Sequence, residues 1–462
     1  MSDPNTNPNK RGRQGGDSSE GKDDKYGNLP AGVRREIKKF MDPRTRSLLK
    51  ISSDTTLGHA LEDIPEKVKT GPLVQSCVRD CTSRCYEAET MRRAMRRAMR
   101  HAQEGSSRLA CGATHSLVRS GGGSVWSFGQ GSDGQLGHGS ESKEVVPRLI
   151  APLEKVQVVA VAAGSYHSMA LSAEGRVFTW GRGEEGQLGH GDENNRLVPT
   201  RVEGIADVTS IAAERLVGVS GIAAGSFHSL AVVGGMVYSW GYGYYGQLGL
   251  PWGLANIWPV MQNMPSMIPG LGGVMAVEAG LLHSLALDRD GTLRSWGCNR
   301  HGELGLGDTQ HRSSPTVVAG LRRVVDMAGG ENHTIAATLE GHVYTCGRGL
   351  AIGHDADCLV PTRVTAGLEG VVVVRVAAGQ DHCMAVTQTG QLLTWGCGDE
   401  GQLGHGRREE DEVVRVPRAV EGAGVVVGAA GGHRHSMAVR ESGEVVVFGT
   451  GGEEEREDED GN

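Results

Sequence analysis

The segments AGSYHSMAL (residues 163–171), VFTWGRGEEGQLGHG (177–191) and VPTRV (198–202) decide how this chain folds. Each apolar run is short and alternating, and each is closed by glycine or proline, which is strand rather than helix punctuation. The pattern returns through the chain. The histidine of AGxxH recurs as His115, His167, His228, His283, His333, His382 and His435, at spacings of 49 to 61 residues. After each comes an alternating strand ending in an aromatic-glycine pair, such as Trp180-Gly181 or Trp240-Gly241, with Cys346-Gly347 the exception. A GQLGxG segment or a relative follows in five units, and Val146-Pro147, Val198-Pro199, Val360-Pro361 and Val416-Pro417 open a further strand, where the missing proline N–H does least harm. Several short strands per period of about 50 residues mean propeller blades. The expected fold is all-β: a seven-bladed β-propeller with a helical insertion and disordered termini.

Composition agrees. Glycine is 71 of 462 residues, about twice the usual share, without a collagen period and with 38% hydrophobic residues. No apolar run spans a bilayer and the first 30 residues lack a secretory core, so an intracellular location, cytoplasmic or nuclear, is expected, with the nine cysteines reduced. Residues 1–108 carry 22 Lys/Arg against 15 Asp/Glu and the remainder 25 against 40, a basic appendage on an acidic body.

The seventh unit stops at Phe448-Gly449 and lacks its outer strand. Leu57-Gly58-His59 and Ile64-Pro65 to Val68 reproduce that missing half, so the first strand of a domain spanning 54–449 is expected to close the last blade. Residues 1–53 read as a basic polar extension and 450–462 as an acidic tail. An insertion at about 70–107 reads as a helix with Cys77, Cys81 and Cys85 on one face, continued by Met91, Met95 and Met99. The five arginines of its end at 91–100, Arg92, Arg93, Arg96, Arg97 and Arg100, form a basic surface. Two readings of that surface stand: docking of an acidic partner or anionic surface, and a helix held against its own acidic propeller. The third unit carries Trp252, Trp258, Met261, Met264 and Met267 where a plain Val-Pro strand belongs; packing across a neighbouring blade is expected there, with a docking loop as the alternative.

Four GxGxxG matches are turns, because no helix follows to face a phosphate. The seven histidines sit at equivalent places in separate blades, which keeps them apart; they are expected to bond to backbone groups of their own glycine turns. No metal set, cofactor motif or catalytic constellation is present, so no enzyme active site is expected.

In repeat order and motif content the chain resembles the regulator-of-chromosome-condensation family. The resemblance implies a partner face built from the AGxxH loops, here Tyr166, Phe227, Leu282, Asn332, Asp381 and Arg434. It implies a protein-interaction platform or, alternatively, a guanine-nucleotide exchange factor for a Ran-like small GTPase. Asp381 and Arg434 match the exchange factors' polar loops, whereas Tyr166, Phe227 and Leu282 are apolar and no wedge insertion precedes Gly246. The family's ultraviolet photoreceptor uses tryptophans in GWRHT loops; Gly432-His433-Arg434-His435-Ser436 has histidine instead, which argues against light sensing by that route.

Overall fold

Each repeat becomes an antiparallel meander, because its alternating runs are linked by turns too short for anything but neighbouring strands. The computed structural model describes residues 108–205, 221–250, 261–406 and 413–450, with Ala94, Met95, Ala98 and Met99. Among the described residues seven sheets make seven blades, six of four strands and one of three. Blade 1 holds Leu109–Cys111, His115–Arg119, Val125–Gly129 and Glu144–Leu149, paired in chain order. The inner strands of blades 2 to 7 are Val158–Ala163, Gly221–Ala224, Val274–Ala279, Val324–Gly329, Val373–Ala378 and Val426–Gly431. Together they surround a central channel of about 180 Å³, lined mostly by alanine and glycine.

The core lies between blades. Each of seven apolar clusters joins residues of two adjacent blades, as Met169 and Leu171 of blade 2 meet Ile222 and Trp240 of blade 3. Leu109 and Val118 of blade 1 meet Met437 and Val447 of blade 7, which closes the ring. Trp180, Trp240, Trp296 and Trp395, which end the third strands, are fully buried in these joints.

Polar bonds reinforce the joints in one repeated pattern. The His167 Nε2 lies 2.8 Å from Ser229 Oγ of the next blade, and that hydroxyl donates to the Gln187 carbonyl at 2.9 Å. The hydroxyl hydrogen is thereby committed, so the imidazole Nε2–H is the donor to Ser229. Trp240 Nε1 donates to the same Gln187 carbonyl at 2.8 Å. The Gln187 side chain accepts from the Glu185 N–H at 2.9 Å, which fixes the loop that presents the carbonyl. The GQLG motif is thus a joint, with its backbone serving the next blade. Histidine–hydroxyl contacts at 2.7 to 3.1 Å tie blades 1–2, 2–3, 3–4, 4–5, 6–7 and 7–1. This corrects the expectation of bonds within each histidine's own turn. The turn contributes space instead: a Cβ on Gly164 would overlap the His167 ring.

Blades 5 and 6 are joined differently. Cys383 stands where the other blades have Ser or Thr, and His333 Nε2 has no hydrogen-bond partner. Blade 5 also replaces GQLG with a four-residue helix, α1 (Gly349–Ile352), and Trp395 Nε1 has no partner either. Thr345 Oγ1 reaches the Ile352 carbonyl only at 3.4 Å, against 2.6 Å for Thr179 to Leu188 in blade 2. This joint rests on its apolar cluster, including Trp395, Val376 and Cys383.

Among the described residues of the proposed insertion, Ala94, Met95, Ala98 and Met99 are helical. Met95 and Met99 are buried against Met275, Leu293, Leu321 and Val324 of blades 4 and 5. Met95 reaches Gly291, in the hairpin turn at the end of blade 4 remote from the His283–Gly297 pair, so the helix docks on the face away from the AGxxH loops. Arg92, Arg93, Arg96, Arg97 and Arg100, the three helix cysteines and the expected closing segment 54–69 lie outside the described residues. The Met261–Met267 stretch is the outer strand of blade 3, with Met264-Pro265 in the Val-Pro place. Met264 lies over Gly191 and Gly204 of blade 2 but is 46% exposed, and Met261 and Met267 are exposed too, so packing across the neighbouring blade covers only part of this row. Trp252 and Trp258 lie outside the described residues. No described helix is long and apolar enough to cross a membrane.

Candidate protein-interaction face

Two sets of loops emerge on one face: the AGxxH loops between first and second strands, and the loops ending in GQLG between third and fourth. Strand pairing fixes their closeness, because His167 pairs with Gly181, Ser168 with Trp180 and Met169 with Thr179, so Tyr166 and Arg182 leave the sheet side by side. The Arg182 guanidinium carbon lies 5.5 Å from the Tyr166 ring centroid.

The six loop residues expected at this face fall into two groups. Tyr166 and Phe227 meet, with ring centroids 6.1 Å apart. They begin a row that the sequence reading missed: Phe227 to Tyr242 at 6.2 Å, Tyr242 stacked on Tyr244 at 6.2 Å, and Tyr244 edge-on to Tyr245 at 4.9 Å. His311 continues it at 5.1 Å from Tyr245, and Arg300 lies over Tyr245 at 5.0 Å while donating to its hydroxyl at 2.7 Å. Three of these rings come from YGYYGQLG (242–249), a segment whose glycine spacing draws attention away from its tyrosines. Leu282 and Asn332, on the loops of blades 4 and 5, are half-buried.

Asp381 and Arg434 belong to a charged half formed by blades 5 to 7. Arg348 lies 3.5 Å from Asp381, and Arg434 pairs with Glu400 at 3.0 Å. Burial raises the Asp381 carboxyl above its ordinary range, with Glu331 adding to the rise and Arg348 opposing it. Asp399 is lowered despite partial burial, through hydrogen bonds from Gln402 and the Glu400 N–H. Across the channel mouth, His433 of blade 7 approaches Ser165 of blade 2 at 3.4 Å, and Ser165 meets Ser226 at 2.6 Å.

Deeper in the channel sit two carboxyls, Glu278 and Asp326, pushed up to about 8 and about 7 chiefly by desolvation. Both line the channel and are half-buried. The Val376 N–H donates to Asp326 at 2.8 Å. The seven AGxxH histidines are driven down to about 3 or 4 by burial, which keeps them neutral joints. Among the described residues no group of three or more His, Cys, Asp or Glu side chains is arranged to hold a metal ion.

Comparison with known proteins matches this architecture. The RCC1-like domain profile matches residues 213–438, and the regulator of chromosome condensation (RCC1) repeat profile matches 122–171 and 174–232. The ultraviolet-B receptor UVR8 of Arabidopsis thaliana is 34% identical over 356 residues, 74% of this chain and 76% of the receptor. The human E3 ubiquitin-protein ligase HERC2 is 34% identical over 328 residues, 68% of this chain but only 6% of the ligase. Among solved structures, human WBSCR16 superposes with a TM-score of 0.61 at 26% identity, covering 74% of this chain and 86% of that one. Prp20p of Saccharomyces cerevisiae, described with its binding to Gsp1p and histones, gives 0.60 at 26% identity, covering 74% and 81%. Seven blades, the repeat profiles and a relative matched over three quarters of its length agree: the chain belongs to the regulator of chromosome condensation repeat family.

Proposed function

We propose that this chain is a non-catalytic interaction platform that holds protein partners on the face carrying the AGxxH and GQLG loops. One observation carries the reading: that face gathers a continuous aromatic row and a half rich in paired charges on loops anchored by the His–Ser joints, while the opposite face receives the chain's own Met95 and Met99. Loops fixed on a rigid scaffold are where binding chemistry is free to vary. Photo-crosslinkers placed at Phe227 and Leu282, with Ala173 in an exposed hairpin turn as the opposite-face control, test it. Discrete protein adducts are expected from the first two positions only; adducts from Ala173 alone would overturn it.

A second reading, nucleotide exchange on a Ran-like GTPase, is favoured by the similarity to Prp20p, which binds Gsp1p. Against it stand the apolar Tyr166, Phe227 and Leu282. Interfaces of this kind lean on charge complementarity, and leaving one partner charge buried and unpaired costs about 2–5 kcal/mol. Release of a fluorescent guanine nucleotide decides: hundredfold acceleration that Asp381→Ala abolishes would make exchange the function. The arginines of the 92–100 segment belong to this proposal as a separate contact for an acidic partner. Their replacement by glutamine should weaken retention on heparin and flatten its salt dependence.

A further inference from the structure

We infer that the aromatic row of blades 2 to 4 is a docking site for an arginine-bearing segment of a protein partner. The inference rests on the platform reading and names the partner's chemistry. Rings in contact along one line offer successive π faces, and a guanidinium is the cation best matched to them because it is planar and weakly hydrated. The protein already uses this match at both ends of the row, where Arg182 covers Tyr166 at 5.5 Å and Arg300 covers Tyr245 at 5.0 Å. Between those ends, Tyr242 and Tyr244 lie nearly parallel, 12° apart, and Tyr244 is 40% exposed.

Charge points to the same occupant. Arg182 is held by Glu184 and, at 3.6 Å, by Glu185, so carboxylates flank the row and can receive an incoming guanidinium as well. The chain as a whole carries a net charge of −8, which attracts a cationic segment. Met95 and Met99 of the chain's own helix lie against the far ends of blades 4 and 5 and not at this row. A second copy would bring the same row, whose Arg182 and Arg300 already cover its own Tyr166 and Tyr245.

The test uses the full chain and fluorescence anisotropy with a labelled twelve-residue peptide alternating arginine and serine, beside lysine and citrulline versions. The arginine peptide should bind several-fold more tightly than the lysine peptide, and the uncharged citrulline peptide should not bind. Replacing Tyr242 and Tyr244 together by alanine should weaken arginine-peptide binding about tenfold, or about 1.4 kcal/mol, whereas Tyr244→Phe should preserve it. Unchanged melting of each variant controls for folding. Equal binding of arginine and lysine peptides, indifferent to the tyrosine variants, would mean diffuse acidity alone attracts them and would overturn the inference. Loss of a dimer in sedimentation on tyrosine replacement, without loss of peptide binding, would assign the row to a second copy instead. If the tyrosine variants bind the peptide normally while crosslinks from Phe227 and Leu282 persist, the platform stands and this docking site falls.

Discussion

Exchanging the hydroxyl and the thiol between two blade joints should move stability in opposite directions. At the blade 5–6 joint, Cys383→Ser places an oxygen where His333 Nε2 has no partner. A buried donor left without an acceptor costs about 1–3 kcal/mol, and a bond newly made returns about 0.5–1.5 kcal/mol net. Losing the buried sulfur subtracts some of this, because a free cysteine packs as a small hydrophobe. A gain of about 1 kcal/mol is expected. At the blade 3–4 joint, Ser284→Cys removes the acceptor 2.9 Å from His228 Nε2 and the 2.8 Å bond to the Gln247 carbonyl, which keeps its Trp296 donor. One orphaned imidazole N–H should cost about 1–3 kcal/mol. For the 316 described residues, at about 2.1 cal/mol/K each, 1 kcal/mol is about 1.5 °C in melting midpoint. Scanning calorimetry at pH 7.5 under reducing conditions should therefore find Cys383→Ser raised and Ser284→Cys lowered. Loss of stability in both, or indifference to Ser284→Cys, would show that the histidine–hydroxyl bonds do not hold the blades.

Acid should unfold the propeller. The joint histidines are lowered in the folded state to about 3 or 4 from 6.5, so the unfolded chain binds more protons between those values and stability falls as pH drops below about 6.5. Each contributes about 1.4 kcal/mol per pH unit in that window, and a urea midpoint unchanged from pH 7 to 5 would contradict their burial as neutral rings. The channel carboxyl Glu278 has the opposite sign: raised to about 8 from 4.5, its contribution is full below 4.5 and lost as pH rises through 8. Glu278→Gln should accordingly stabilise more at pH 8 than at pH 5 in the same urea titration. Gly291→Ala forces a side chain onto φ +73 and into Met95; a loss of about 1–3 kcal/mol and faster proteolysis near Met95 are expected. Deleting residues 54–69 should leave the strand Val445–Gly449 as an exposed edge and cause aggregation, seen by light scattering, whereas deleting 1–53 should not.

The blades were legible because each repeat carries its own strand pattern and turn residues. The joints were not. His167 and Ser229 are 62 residues apart, and nothing local says that a histidine in one repeat faces a hydroxyl in the next. Yet the dipeptide was in view: His-Ser or His-Thr in six units, and His382-Cys383 in the seventh. The aromatic row was half legible, since Tyr166 and Phe227 stood out in their loops, but Tyr242, Tyr244 and Tyr245 join them only through the strand register that sets two loops side by side. The outer strand of blade 3 was obscured because Met264-Pro265 stands where four other units read Val-Pro.

The joints differ in what else holds them. Blades 5 and 6 follow each other in the chain, so a few residues of backbone between Arg363 and Val373 already keep them together. Blades 7 and 1 meet across 319 residues, through Ser116 and His435 at 2.9 Å. Closing so long a loop carries a larger entropic cost than closing a short one, and among the described residues no disulfide shortens the search. The missing polar bond falls at a joint between consecutive blades, and the bond is kept where, among the described residues, packing and hydrogen bonds hold the circle shut. A permuted chain cut between blades 5 and 6, with its old ends joined, would expose this asymmetry: it would ask the poorest joint to hold without a tether, and should open there first.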